Sequence, residues 1–162
     1  MPPEAQTPIA QPEPLRQYLF KVDVNNTMRL HFSECEGFGV RVKPIPYREA
    51  GSNEIVHQLV GTVEYLPVRL RFGVVQGDYD ALWAWVLSGI KGLADKKNVS
   101  VVMLDAAGQR KMQWDMLGCW PVEYVGGKLG SQEHGLLIQD LVLVYDELKY
   151  EPQPLASKLA NS

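Results

Sequence analysis

Leu136–Tyr145 reads LLIQDLVLVY, ten residues whose alternate positions fall on opposite faces of a strand. One face carries Leu136, Ile138, Asp140, Val142 and Val144, and the other Leu137, Gln139, Leu141, Leu143 and Tyr145. Both faces are largely apolar, so burying only one leaves an apolar surface in water. Either a helix covers the second face or another subunit does. A strand that needs two partners is the feature from which the rest of the chain is read.

Working outward, the same period of two recurs. Tyr18, Phe20, Val22 and Val24 alternate with Lys21 and Asp23, and Met28, Leu30 and Phe32 with Arg29, His31 and Ser33. The NNT turn at 25–27 predicts a hairpin between these two runs. Leu66, Val68, Leu70, Phe72 and Val74 alternate with Arg69 and Arg71. Met112, Trp114 and Met116 alternate with Lys111, Gln113 and Asp115, and DAAGQ at 105–109 reads as the turn leading from 99–104 into that strand.

One segment departs from this pattern. From Asp78 to Ile90, Tyr79, Leu82, Trp83, Val86, Leu87 and Ile90 recur at spacings of three and four, with Asp78 placed to cap the N-terminus and Gly89 and Gly92 to mark the end. The expected fold is mainly β, a barrel or sandwich with one covering helix at about 78–90 and a long inter-strand arm at about 43–55. Trp83 is expected in the core. Trp85 falls on the opposite side of the helix and is expected at an interface, because a tryptophan there needs a partner to hide it.

Length and composition bound the function. The chain has 162 residues, one domain's worth, with 46% hydrophobic and 22% charged residues and a net charge of −3. That balance lacks the basic excess of a nucleic-acid binder. Residues 1–15 hold five of the 11 prolines and read as a mobile arm, 16–150 as the domain, and 151–162 as a C-terminal tail. No apolar run has the roughly 18 residues of a membrane-spanning helix, so no membrane anchor is expected. The N-terminus lacks the basic and apolar regions of a signal peptide, which predicts synthesis in the cytoplasm.

Catalytic constellations are missing from the pattern. GGK at 126–128 lacks the other members of a phosphate loop, GFG at 37–39 does not complete a dinucleotide fingerprint, and His31, His57 and His134 stand apart. Cys35 and Cys119 are too few for a zinc site or a disulfide scaffold. The reading is a non-enzyme with no cofactor and no metal. A small-molecule-binding β-barrel is the competing class, although the large residues here suffice to fill a small barrel. The Lys43–Ile55 segment, KPIPYREAGSNEI, is too long for a simple connection; a solvated loop and an inter-subunit arm both fit it.

The ordered set FKVDV (20–24), FSECEGF (32–38), PYREAG (46–51), VRLRFG (68–73), LWAW (82–85), NVSVVMLD (98–105), QWDMLGCWPVEY (113–124) and LLIQDLVLVYDEL (137–148) resembles the contractile-phage tail tube family, which includes inner-tube proteins of extracellular contractile injection systems. Two departures stand out: YREGG is Tyr47–Gly51 with Ala50 in place of a glycine, and Phe72 replaces the usual basic residue before Gly73.

The resemblance implies six-membered rings stacked into a hollow tube inside a sheath, driven through a target envelope when the sheath contracts. Implied partners are further copies of the chain, sheath and baseplate proteins, and protein cargo or DNA in the lumen. A baseplate-proximal tube initiator of the same family is the alternative, and phage tail and injection particle are both open. Contacts between subunits or rings are then expected at Pro46, Tyr47, Arg48, Glu49 and Gly51, at Trp85, and at Val142 and Val144. The lumen is expected to be lined by Lys21, Asp23, Lys111, Gln113 and Asp115.

Overall fold

The computed structural model describes residues 19–26, 28, 32–51, 54–73, 79–131 and 135–152. Nine strands and one helix follow in the order β1 (Phe20–Val24), β2 (Phe32–Glu36), β3 (Gly39–Tyr47), β4 (His57–Leu66), β5 (Val68–Gly73), α1 (Tyr79–Ile90), β6 (Lys97–Leu104), β7 (Arg110–Val125), β8 (Ile138–Val144) and β9 (Glu147–Pro152) among the described residues. Where apolar residues alternate, the buried side follows. Val22 and Val24 of β1, Val68, Leu70 and Phe72 of β5, and Leu141 and Leu143 of β8 all enter one core, together with Val99, Val101, Met116 and Cys119.

One antiparallel path runs β1-β6-β7-β8-β5-β2, with β9 also on β7. The 16-residue β7 makes this one path into two layers. Its first half pairs with β6 and β9, and its second half, Trp120 to Val125, pairs with β8. The change of partner comes at Gly118, where φ is +69° and the neighbouring Asp146 carboxylate occupies the place a Cβ would take. Asn98 Oδ1 accepts the Gly118 N–H at 3.2 Å, and Leu117 O accepts the Asp146 N–H at 2.9 Å, so the bend keeps its backbone groups paired. The layers are therefore β1-β6-β7-β9 and β2-β5-β8-β7. Among the described residues the path does not close, so the fold is an open sandwich and not a closed barrel.

Three local expectations are corrected. β1 takes β6 as its ladder partner; its only described pairing across the 25–27 turn is the single bridge Val24–Met28, while Arg29 to His31 lie outside the described residues. Glu151 and Pro152, expected in the C-terminal tail, belong to β9, which runs along the edge of β7. The 43–55 segment is strand only in its first part: Lys43 to Tyr47 end β3, which pairs with β4 in a two-stranded sheet of its own with a bulge after Val42, and the described residues 48–51 and 54–55 belong to the connection between the two strands. Asp78, the expected helix cap, is outside the described residues.

The helix lies over β7 on a stripe rotated from the expected one, sharing Leu82 and Val86 with it but taking Trp85 in place of Trp83. Leu82, Trp85 and Val86 are buried, Trp85 only 2% exposed, whereas Trp83 is 40% exposed. Trp85 is thus a core residue and not an interface residue, and Trp83 is the surface one. The packing stripe is 82, 85, 86 and 89. Gly89 completes it, since a Cβ there would stand 3.3 Å from Pro121 O. The Trp85 indole N–H is satisfied internally, donating to Asp95 O at 2.6 Å.

The 105–109 turn forms as read. Asp105 Oδ1 accepts N–H groups from Gln109 (2.8 Å) and Ala107 (2.9 Å), and Lys111 Nζ lies 3.5 Å from its other oxygen. These hydrogen bonds, with the Gln109 N–H first among them, hold the carboxyl below its ordinary range. A depressed folded-state pKa contributes stability that is present above the unfolded value and is lost as pH falls through the folded one. Asp105→Asn should therefore show a shallower loss of stability on acidification below about pH 4 than the parent, measured by urea unfolding across a pH series.

Candidate functional site

The β3–β4 hairpin forms a sheet of its own, and its exposed apolar side chains have no covering layer among the described residues. Val40 and Val42 of β3 share one face with Val63 and Val60 of β4, the register giving Val42 opposite Val63 and Pro44 opposite Val60. All four valines are exposed, Val60 to 85%. On the other face Ile45, Tyr47 and Leu59 are also exposed towards the tip, and Arg41, Lys43 and Glu64 lie towards the base, with Lys43 Nζ 3.4 Å from Glu64. A two-stranded hairpin with apolar residues on both faces is marginal in water and needs a third layer.

Its base is fixed to the sandwich. Tyr145 donates its O–H to Gly39 O at 3.2 Å and accepts the Gly39 N–H at 3.1 Å, and its ring tilts against Tyr65 with centroids 5.8 Å apart. Burial pushes the Tyr145 phenol pKa upward. Tyr145→Phe removes both bonds and should cost about 1–2 kcal/mol. It should also speed amide exchange at Gly39 and Val40 more than in β6, as read by hydrogen exchange.

Of the expected contact residues, Pro46 and Tyr47 lie on β3, and Arg48, Glu49 and Gly51 follow in the exposed connection to β4. Val142 and Val144 are half-buried on the outer face of β8, beside a charged row in which Arg71 reaches Asp140 at 2.9 Å and Glu34 at 2.8 Å. The hairpin and this face are separate surfaces. Sequence reasoning missed the valines of β3 and β4 as exposed residues, although their run of apolar side chains on both faces is visible in HQLVGTVEYL.

The five residues expected to line a lumen share one face. Asp23 pairs across to Ser100, Ser100 to Asp115 and Asp115 to Lys149, while Lys21 leads through Val102 and Gln113 to Glu151. Lys111 follows on the same side of β7. Ser100 Oγ donates to Asp115 Oδ1 at 2.6 Å, and Gln113 Nε2 donates to the same oxygen at 2.7 Å. Lys149 and Glu151 of β9 were not anticipated; the alternation in ELKYE carries their signal. This is a wet, charge-mixed face opposite an apolar core.

Neither cysteine lies in a reactive setting. Burial first, and a neighbouring carboxylate second, push the Cys35 thiol up to about 12, and burial does the same for Cys119. Among the described residues no group of His, Cys, Asp and Glu is arranged to hold a metal, and no helix is long and apolar enough to cross a membrane.

Known proteins share this architecture. A chain in the PVC sheath–tube complex of an extracellular contractile injection system, in its extended state, superposes with a TM-score of 0.76 at 21% identity, covering 86% of this chain and 92% of that one. A chain in the six-fold symmetrised baseplate of the anti-feeding prophage gives 0.76 at 20% identity, covering 90% and 100%. Hcp1 from Salmonella typhimurium is more distant, with 0.54 at 9% identity over 83% and 87%. A search of curated proteins found no match. The sequence pattern of the T4-like virus tail tube protein gp19 family matches residues 16–149, and the chain belongs to that family.

Proposed function

We propose that the chain is the repeating, non-enzymatic subunit of the hollow inner tube of a contractile injection particle or phage tail, six copies to a ring, with rings stacked head to tail. The observation that carries this reading is the β3–β4 hairpin, fixed at its base and apolar on both faces, which needs a neighbouring copy to cover it. The two open edges of the first layer, β1 and β9, fit the same picture. If β9 of one copy pairs with β1 of the next, four strands per subunit continue around a ring and no edge is left to aggregate.

That closure turns the Asp23–Ser100–Asp115–Lys149 face inward. A wall with alternating signs stays hydrated without binding strongly to a polyanion or a polycation, which suits the passage of protein cargo or DNA. Sheath and baseplate proteins meet the outside and the ends. Sheath contraction moves the assembled tube as a unit into a target envelope. The filled core, in which Val24, Val68, Leu70, Leu141 and Leu143 are fully buried, favours this reading over a ligand-binding barrel.

Negative-stain microscopy of the purified protein tests the proposal. Rings or tubes with a central opening are expected, and strictly monomeric particles at tens of micromolar would refute it. Reversing both charges at Arg48 and Glu49 should reduce stacking while leaving single rings; unchanged tube lengths would remove these two residues from the contact.

A further inference from the structure

We propose that the segment leading into β1, Leu15 to Tyr18, crosses the open side of the sandwich and fills the cleft between β1 and β2 of its own chain, with Leu15 and Tyr18 as its anchors. These residues lie outside the described ones; what points them to the cleft is its apolar lining and the place where β1 begins. The contact is made within one chain and requires no assembly.

The cleft lies where the strand path is open, between its two ends β1 and β2. A space of about 700 Å³ separates Phe20, Met103 and Trp114 of the first layer from Phe32, Cys35 and Phe38 on the other side. All but Met103 pack against the core from its rim and are only partly buried, Phe38 tilting on Trp114 with centroids 5.4 Å apart. An apolar opening of this kind is surface that a folded chain ordinarily covers.

The start of β1 directs the preceding residues towards this cleft. Leu19 O accepts the Leu104 N–H at 2.8 Å, and the ladder with β6 stops there, since β6 ends at Leu104 and the chain turns at 105–109 into β7. Residues before Leu19 therefore have no β6 backbone to pair with. On the period of two that turns Val22 and Val24 into the core and Phe20 into the cleft, Tyr18 falls on the same face. Leu15 lies four residues before Leu19, a reach of about 13 Å when extended. That is enough to cross the gap between two packed sheets, roughly 10 Å. Pro12 and Pro14 offer no N–H to a ladder, so this stretch is suited to lie across side chains and not to lengthen the sheet.

Tethering favours the chain's own segment over any other occupant. A connection of a few residues holds Leu15 and Tyr18 beside the cleft at an effective concentration in the millimolar range, above that of a second copy at micromolar concentration. A leucine and a tyrosine set among phenylalanine and tryptophan rings make the apolar and edge-to-face contacts that such walls favour. The segment is thus a built-in cover, and a subunit meets its partners with the opening between its layers already closed.

The test replaces Tyr18 with the benzophenone amino acid p-benzoylphenylalanine in the full chain and irradiates it. A bond within the chain leaves a monomer band on a denaturing gel, and a bond to another copy makes a dimer. Mass spectrometry of the monomer band is expected to join position 18 to Phe32, Cys35 or Phe38, across the cleft from β1. No bond, or a bond only to β6, overturns the proposal. So does a dimer attached at those three residues, which puts another copy's segment in the cleft. Cysteine labelling reads the cover independently. Leu15→Ser with Tyr18→Ser should speed alkylation of Cys35 by N-ethylmaleimide about tenfold and leave the buried Cys119 unchanged. No change at Cys35, or equal acceleration at both cysteines, would show that the segment does not cover this cleft.

Discussion

Val40→Asp with Val60→Asp leaves a folded monomer that no longer forms rings or tubes. Both valines are exposed in the single chain, so the substitutions should change its unfolding free energy by no more than about 0.5 kcal/mol each. In an assembly the same side chains are covered, and each buried valine is worth roughly 1.5–3 kcal/mol. Losing two weakens each contact about a hundredfold or more, before the added cost of placing carboxylates in an apolar interface. Because every contact in a stacked ring repeats, the effect compounds. Sedimentation velocity alongside urea unfolding checks it: an unaltered transition with no species above monomer is expected, and persistent rings would show that this face is not covered.

Trp85→Ala acts on the other side of the balance. Trp85 is 2% exposed and joins α1 to β7 and to the loop at Asp95. Removing it should cost about 3–5 kcal/mol, much of the 5–15 kcal/mol that holds a domain of this size. Trp85→Phe keeps most of the packing and loses the bond to Asp95 O, for about 1–2 kcal/mol. Trp83→Ala, on the exposed side of the helix, should cost clearly less than Trp85→Ala. Thermal or urea unfolding of the three variants orders them, and an equal loss for Trp83 and Trp85 would contradict the placement of the helix.

The strands with clean alternation were legible. In β1 and β5 charged residues alternate with apolar ones and the period alone assigns faces, whereas β8, apolar on both faces, was legible as a strand but not by which side is buried. The helix was legible as a helix but not by orientation, because YDALWAWVLSGI is apolar almost all round. Counting apolar residues at helical spacing selected Trp83, whereas the close approach at Gly89 selects Trp85. The hairpin was hidden by Pro44 and Pro46, which mark loops more often than strands. Here they are tolerated because each hairpin strand has a free edge where no N–H is required. The charged candidates of β1 and β7 lie in neighbouring strands of the first layer, but β9 was missed because its short alternation runs into Pro152. Surfaces that wait for a second chain leave weak signals in one sequence, since nothing inside the monomer selects the residues facing them.

The strand that bends at Gly118 has a mechanical consequence. In most sandwiches the two sheets adhere through side chains alone and can slip past one another under shear. Here β7 passes unbroken from one sheet into the other, hydrogen-bonded on both sides of the bend. A push along one sheet is carried to the other through covalent bonds, so the subunit resists racking as a cross-braced frame does.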